Sequence, residues 1–129
     1  MPSLHQLLHD PRFHRHWRVL LLLLALTAAW FAFTPRPPLP EFEGADKVNH
    51  LLAFGSMATA ASLGWRAGWA SRGGVSLGLL GYGGFIEIVQ SQIPNRTAAW
   101  DDLLADAVGI AGGLLLAALL RRVWPPRNG

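Results

Sequence analysis

The stretch WRVLLLLLALTAAWFAF, Trp17 to Phe33, carries no charge after Arg18. It approaches the roughly 20 apolar residues that a helix needs to cross a bilayer. Three further apolar stretches follow, at about 48–69, 75–93 and 103–120. The connections between them are too short to carry a separate soluble core. The expected fold is therefore all-α: an integral membrane four-helix bundle with spans at about 17–34, 48–69, 75–93 and 103–120. A basic N-terminus, residues 1–16, precedes the bundle, and a short tail, 121–129, follows it. The first span reads as an uncleaved anchor, because no small-x-small cleavage site precedes a polar mature start. Only 15% of the chain is charged, below the roughly 25% usual for soluble domains.

The charges set an expected orientation. Arg12, Arg15 and Arg18 precede the first span, Arg66 and Arg72 lie between the second and third, and Arg121, Arg122 and Arg127 follow the fourth. If the spans alternate, these eight of the 11 basic residues share one side, against Arg36, Lys47 and Arg96 on the other. The positive-inside rule then places both termini in the cytoplasm, an N-in/C-in topology. The basic character is a topology signal, and nucleic acid is not an expected partner. Trp17, Trp65, Trp69 and Trp124 fall at the inner ends of the spans, and Trp30 and Trp100 at the outer ends. Indole rings favour the headgroup level at both faces. The proline-rich TPRPPLPEFEGADK, residues 34–47, reads as an extended external loop. There is no cysteine, which removes disulfides, thiolate metal ligands and cysteine nucleophiles.

The acidic residues are distributed differently. Asp10 alone is assigned to the cytoplasmic side; Glu41, Glu43, Asp46, Asp101 and Asp102 are external or interfacial, while Glu87 and Asp106 lie inside apolar segments. The alternating directions bring Asp46, Lys47 and His50, then Glu87 and Gln90, then Asp102 and Asp106 to one depth near the outer leaflet. Asp46 and His50 are i,i+4, as are Asp102 and Asp106, and Glu87 and Gln90 are i,i+3, so each pair shares a helix face. Continuing the last stripe gives Gly109 and Gly113, a small-xxx-small ridge that permits close helix packing. Gly74, Gly78, Gly81 and Gly84 suggest the same use in the third span. Facing lipid, an ionised side chain costs roughly 2.5–3.5 kcal/mol on insertion scales. The acids should therefore point into the bundle. Asp46, Glu87, Asp101, Asp102 and Asp106 outnumber Lys47 and Arg96 by five minus two, or three. A charged His50, a bound cation or protonated carboxyls can close that gap.

DKVNHLLAF at 46–54, EIVQ at 87–90 and NRTAAWDDLLADAVGIAGG at 95–113 resemble the VanZ-like family of small bacterial membrane proteins. The resemblance covers about 46–113 and carries the family's Asp-Lys-x-x-His, Glu-x-x-Gln, and Arg followed by Asp-x-x-x-Asn-x-x-Gly onto Asp46, Lys47, His50, Glu87, Gln90, Arg96, Asp102, Asp106 and Gly109. One position departs: Asp106 stands where the family usually has Asn. The resemblance implies the bacterial inner membrane and a link to resistance against the glycopeptide teicoplanin. It implies no reaction.

Three readings of the polar cluster follow. The charges can be structural, with Glu87 pairing Arg96 or Lys47 and His50 pairing Asp102, as in a purely structural membrane subunit. They can form an outward-facing recognition site in which carboxylates, Gln90, Arg96 and Trp100 bind an envelope glycan, peptide or glycopeptide. They can also serve a membrane-embedded enzyme or metal-dependent hydrolase acting on an envelope lipid or glycan, with His50 as the candidate general base. No HExxH, nucleophile elbow or phosphate loop is present. Recognition or assembly is therefore favoured, with no cofactor and no resident metal expected. Oligomeric state is open. NRT at 95–97 matches a weak glycosylation sequon; His5, His14 and His16 read as solvated, and WPPRNG as a disordered end.

Overall fold

The computed structural model describes residues 1–96 and 98–126. Thr97 of the sequon and residues 127–129 of the tail, Arg127 among them, lie outside the described residues. The chain is all-α, and no strand occurs among the described residues. A short helix α1 (Leu4–His9) and a 3-10 turn (Pro11–Phe13) lead into α2 (His14–Phe33), α3 (Ala45–Gly64), α4 (Trp69–Gln90) and α5 (Trp100–Val123). The four long helices cover the four apolar stretches, with ends shifted by a few residues. The largest shifts fall at 65–68, where the chain leaves α3 rather than continuing it, and at the start of α4.

The helix boundaries have local causes. A capping box on Ser3 and Gln6 starts α1. Asp10 caps the 3-10 turn by accepting from the Arg12 backbone N–H at 2.9 Å, with Pro11 in the first turn. The Arg12 guanidinium beside Asp10 also holds its carboxyl below the usual carboxylate range. Thr34 becomes extended before Pro35 and ends α2. Gly44, at φ +80°, turns the proline-rich loop into α3, a conformation that favours glycine. Asn95, at φ +64°, makes the corresponding bend before α5 and is one of the few residues that tolerate it.

Contacts fix the relative directions. At one end, the Arg18 side chain at the start of α2 donates to the Gly64 carbonyl at the end of α3, at 2.8 Å. Arg121 at the end of α5 donates to the Ser62 and Trp65 carbonyls at 2.9 and 3.1 Å. His9 bonds the Trp124 carbonyl, bringing α1 against the end of α5. At the other end, Lys47 of α3 meets Asp101 and Asp102 of α5, and Gln90 of α4 donates to the Ala32 carbonyl of α2 at 3.2 Å. Consecutive long helices therefore run in opposite directions. The two arginines have a role beyond a topology signal: they satisfy the orphan carbonyls at the negative end of the α3 dipole.

Helix α3 is central and touches all three other long helices, most extensively α5. The core consists of Phe54, Met57, Ala58, Leu79, Ile86 and Ile110, with a second cluster of Leu8, Leu63 and Ala117 near the termini. Gly55, Gly109 and Gly113 let α3 and α5 approach backbone to backbone. A Cβ on Gly109 would lie 2.6 Å from the Leu51 carbonyl oxygen, and one on Gly55 3.3 Å from that of Gly109. The α4 glycines differ from expectation. Added Cβ atoms on Gly74, Gly78, Gly81 and Gly84 meet nothing within 4 Å, so these residues do not mediate close packing within the chain. Gly83 is the close-packed one, lying against Asp106 and Phe54.

The polarity of the molecule is inverted relative to a water-soluble domain. Glu87, Gln90, Asp102 and Asp106 are buried, whereas Leu26 is 59% and Leu77 75% exposed. No residue of α2 is buried, although it is largely leucine and alanine. An exposed leucine-rich helix of this kind fits contact with lipid or with an apolar protein surface. Two segments, Pro11–Phe33 and Trp100–Val123, are long and apolar enough to cross a membrane.

Candidate functional site

The polar cluster is built where α3 and α5 start and α4 ends. Asp102 and Asp106 sit one turn apart on the α5 face that also bears Gly109 and Gly113, so close packing of that face against α3 brings both carboxylates to His50. His50 Nδ1 lies 2.7 Å from Asp106 Oδ1. Its Nε2 lies 3.6 Å from Asp102 Oδ2 and 3.8 Å from Glu87 Oε1. The imidazole stacks on Phe54, with ring centroids 6.2 Å apart and planes 2° from parallel, which limits its rotation.

The outer groups hold the cluster in place. Lys47 reaches across from α3 to Asp102 Oδ1 and, at 3.0 Å, to Asp101 Oδ1. Glu87 Oε2 accepts from the Ala99 backbone N–H at 2.9 Å, in the extended residue that precedes α5. Gln90 donates to the Ala32 carbonyl near the end of α2, while its Oε1 is buried with no partner. Tyr82 fastens the middle of α4 to α2 by donating to the Ala25 carbonyl at 2.5 Å. Neither Tyr82 nor Ala99 stood out in the sequence. A lone tyrosine in a glycine-rich span was the available signal for the first; a backbone N–H leaves none for the second.

The expected pairings are corrected in part. Glu87 pairs with neither Arg96 nor Lys47: Lys47 is taken by the aspartates of α5, and Glu87 by the Ala99 N–H and the His50 side. His50 does face Asp102, but its hydrogen bond is to Asp106. No ion pair to Arg96 is formed among the described residues, and its Nε is buried without a partner. Asp46 is exposed and makes no ion pair among the described residues, although its i,i+4 partner His50 is central.

A cavity of about 850 Å³ adjoins the cluster, between α2, α3, the end of α4 and the 34–44 loop. Arg36, Asp46, Lys47, His50, Gln90, Arg96 and Asp102 line its polar part; Ala28, Ala32, Ala53, Phe54 and Ile86 line its apolar part. The candidate residues Asp46, Lys47, His50, Gln90, Arg96 and Asp102 thus share one cavity. Glu87 and Asp106 stand behind its wall and contact His50. Trp100, 72% exposed, is not part of that lining.

An all-helical chain with apolar outer surfaces, candidate membrane spans and a charged cluster buried among its helices defines a class: small helical membrane proteins with an internal polar site. Within that class the chain belongs to the VanZ/LLP1 family, whose model matches residues 5–121. The match extends the resemblance at 46–113 toward both termini and takes in α2 and all of α1 but its first residue. Neither the curated proteins nor the solved structures give a match.

Asp106, the departure from the family's usual Asn, can be tested against this geometry. An asparagine Oδ1 accepts from His50 Nδ1 as the carboxylate does. Asp106→Asn is therefore expected to fold with a thermal midpoint in detergent close to that of the parent. Asp106→Leu, which leaves Nδ1 unpaired, should lower stability by about 1–3 kcal/mol. Equal midpoints for the two variants would rule out a structural His50–Asp106 bond.

Proposed function

We propose that this protein is a four-span, N-in/C-in helical bundle of the bacterial cytoplasmic membrane. Its cavity opens to the cell exterior and binds the polar head of an envelope glycan, peptide or glycopeptide. Its role is recognition or assembly in the envelope, linked to the glycopeptide antibiotic response. The carrying observation is unspent hydrogen-bonding capacity at the cavity: Gln90 Oε1 and Arg96 Nε are both buried, lack partners, and belong to lining residues. Buried polar groups are normally satisfied, and a ligand that accepts from Arg96 and donates to Gln90 would satisfy these. The apolar floor formed by Ala28, Ala32 and Phe54 suits an amphiphile whose chain continues toward lipid.

Alternating helix directions, together with the basic residues at the end bearing both termini, support the orientation. A reporter active only in the cytoplasm, fused after Gly129, should be active, and one active only in the periplasm silent. The reverse pattern would turn the cavity inward. Ligand binding is checked by native mass spectrometry of protein released from bacterial membranes. A retained mass is expected on the parent and should fall at least tenfold in Arg96→Ala and Gln90→Leu, while both variants remain monodisperse. Retention unchanged in both would remove the recognition reading.

A further inference from the structure

The side chains of His50, Glu87 and Asp102 each present one atom to a common point, and these three atoms lie within 4.8 Å of one another. We propose that this point is a divalent transition-metal site, with His50 Nε2, Glu87 Oε1 and Asp102 Oδ2 as ligands and zinc as the best-fitting ion.

The outward atoms of the same side chains are already engaged. His50 Nδ1 faces Asp106 Oδ1 at 2.7 Å, which makes Nδ1 the donor and leaves the Nε2 lone pair directed at the point. Glu87 Oε2 is held by the Ala99 N–H, and Asp102 Oδ1 by Lys47. Glu87 Oε1 is buried without any partner, on a residue only 2% exposed. A carboxylate orienting the far nitrogen of a histidine is the usual outer-shell arrangement around a metal ligand.

Distance separates a metal from a proton here. The Nε2–Oε1 and Nε2–Oδ2 separations of 3.8 and 3.6 Å exceed the roughly 2.7–3.2 Å of an N–H···O hydrogen bond. Tetrahedral ligands about 2.0–2.1 Å from zinc lie about 3.3–3.4 Å apart, so the two distances to His50 need only small rotations, and the Glu87 and Asp102 oxygens, within 4.8 Å of each other, must draw together onto the ion. Charge agrees. Glu87, Asp102 and Asp106 are buried carboxylates whose one direct cation among the described ion pairs, Lys47, is shared with exposed Asp101, so with neutral imidazole the cluster keeps an excess of negative charge that a divalent ion offsets. The mixed imidazole and carboxylate set favours zinc over calcium, which takes six to eight oxygen ligands. His50 and Asp102 line the 850 Å³ cavity, so the ion has an entry path and room for a water ligand. The sequence offered a bound cation only as one alternative and singled out no ligand set, because the ligands come from three helices, at positions 50, 87 and 102, with no local motif. The proposal stands whichever way the cavity faces and whatever else it holds.

The test uses the full-length chain in detergent, free of any histidine tag, stripped with chelator, loaded with Zn²⁺ and washed. One equivalent per chain is expected by elemental mass spectrometry. Glu87→Gln and His50→Asn should each weaken Zn²⁺ at least tenfold, and Asp106→Asn by about 10–100-fold through the outer shell alone. Less than a tenth of an equivalent on the parent protein would overturn the site. So would undiminished affinity in both Glu87→Gln and His50→Asn, which would move the ion to the N-terminal histidines. Zinc X-ray absorption on the unmutated protein needs no variant to fold. One imidazole with oxygen ligands supports the site, and two or more imidazoles exclude it.

Discussion

Gly113→Ala is expected to lower the thermal midpoint sharply, and Gly113→Val to leave little folded protein. A Cβ at this position would overlap the Gly55 carbonyl oxygen and come within 2.8 Å of the Ala58 Cβ and 3.0 Å of the Thr59 nitrogen. Two of these neighbours are backbone, so no rotamer change relieves the contact; α5 must move away from α3. Overpacking of this kind costs about 1–3 kcal/mol or more. The displacement would also loosen the bond from Thr59 Oγ1 to the Gly113 carbonyl, 3.3 Å. Gly109→Ala is expected to behave alike. Gly78→Ala and Gly84→Ala supply the contrast: their added methyls enter open space, and alanine is the better helix former by about 1 kcal/mol. Their midpoints should hold or rise. Gel filtration after stepwise heating reads all five. A midpoint for Gly113→Ala equal to that of Gly78→Ala would contradict the backbone-to-backbone approach of α3 and α5.

Lys47→Met should be the second most damaging change, through what it leaves behind. The Asp102 side chain is 4% exposed and Lys47, its direct cation, has a side chain 40% exposed. Removing one partner of a buried ion pair leaves an uncompensated charge. The exposed lysine end moderates the full penalty to about 1–3 kcal/mol. Removing both charges, in Lys47→Met with Asp102→Asn, should recover much of that loss. The four midpoints of the double-mutant cycle, measured after chelation so that metal does not contribute, give the coupling directly. Additive losses would show that Lys47 and Asp102 act independently. Asp101→Asn removes only the exposed partner and should change little.

That these polar residues gather at one end of the long helices was legible because helix periodicity and alternation of direction are geometric properties of the chain. Once apolar segments are assigned, Asp46 to His50, Glu87 to Gln90 and Asp102 to Asp106 must gather at one end of the long helices. The stripe Asp102, Asp106, Gly109, Gly113 was equally readable, since residues three or four apart share a face. The same reasoning misassigned the glycines of α4. A small-residue stripe states that close packing is permitted, and it names no partner. In this chain α3 packs on α5 instead, through Gly55, and the α4 stripe faces outward.

The pairings inside the cluster lay beyond sequence reasoning for a related reason. Five acids, two cations and a histidine at one depth allow many pairings of similar Coulomb energy. Their selection depends on side-chain reach and on ångström differences in helix position. Lys47 lies where its long side chain reaches Asp101 and Asp102, so Glu87 is left to the Ala99 N–H and Arg96 to the cavity wall. By itself, then, the sequence determined an all-helical chain, its four apolar segments and the set of polar residues at one end, because these follow from composition and periodicity along a single chain. Only the tertiary structure decided which atoms face each other. The close α3–α5 approach turns His50 toward Asp106, and the end of α4 brings Glu87 to the same point. These are contacts between residues 56 (His50 and Asp106) and 87 − 50 = 37 (His50 and Glu87) positions apart, and no local pattern encodes them.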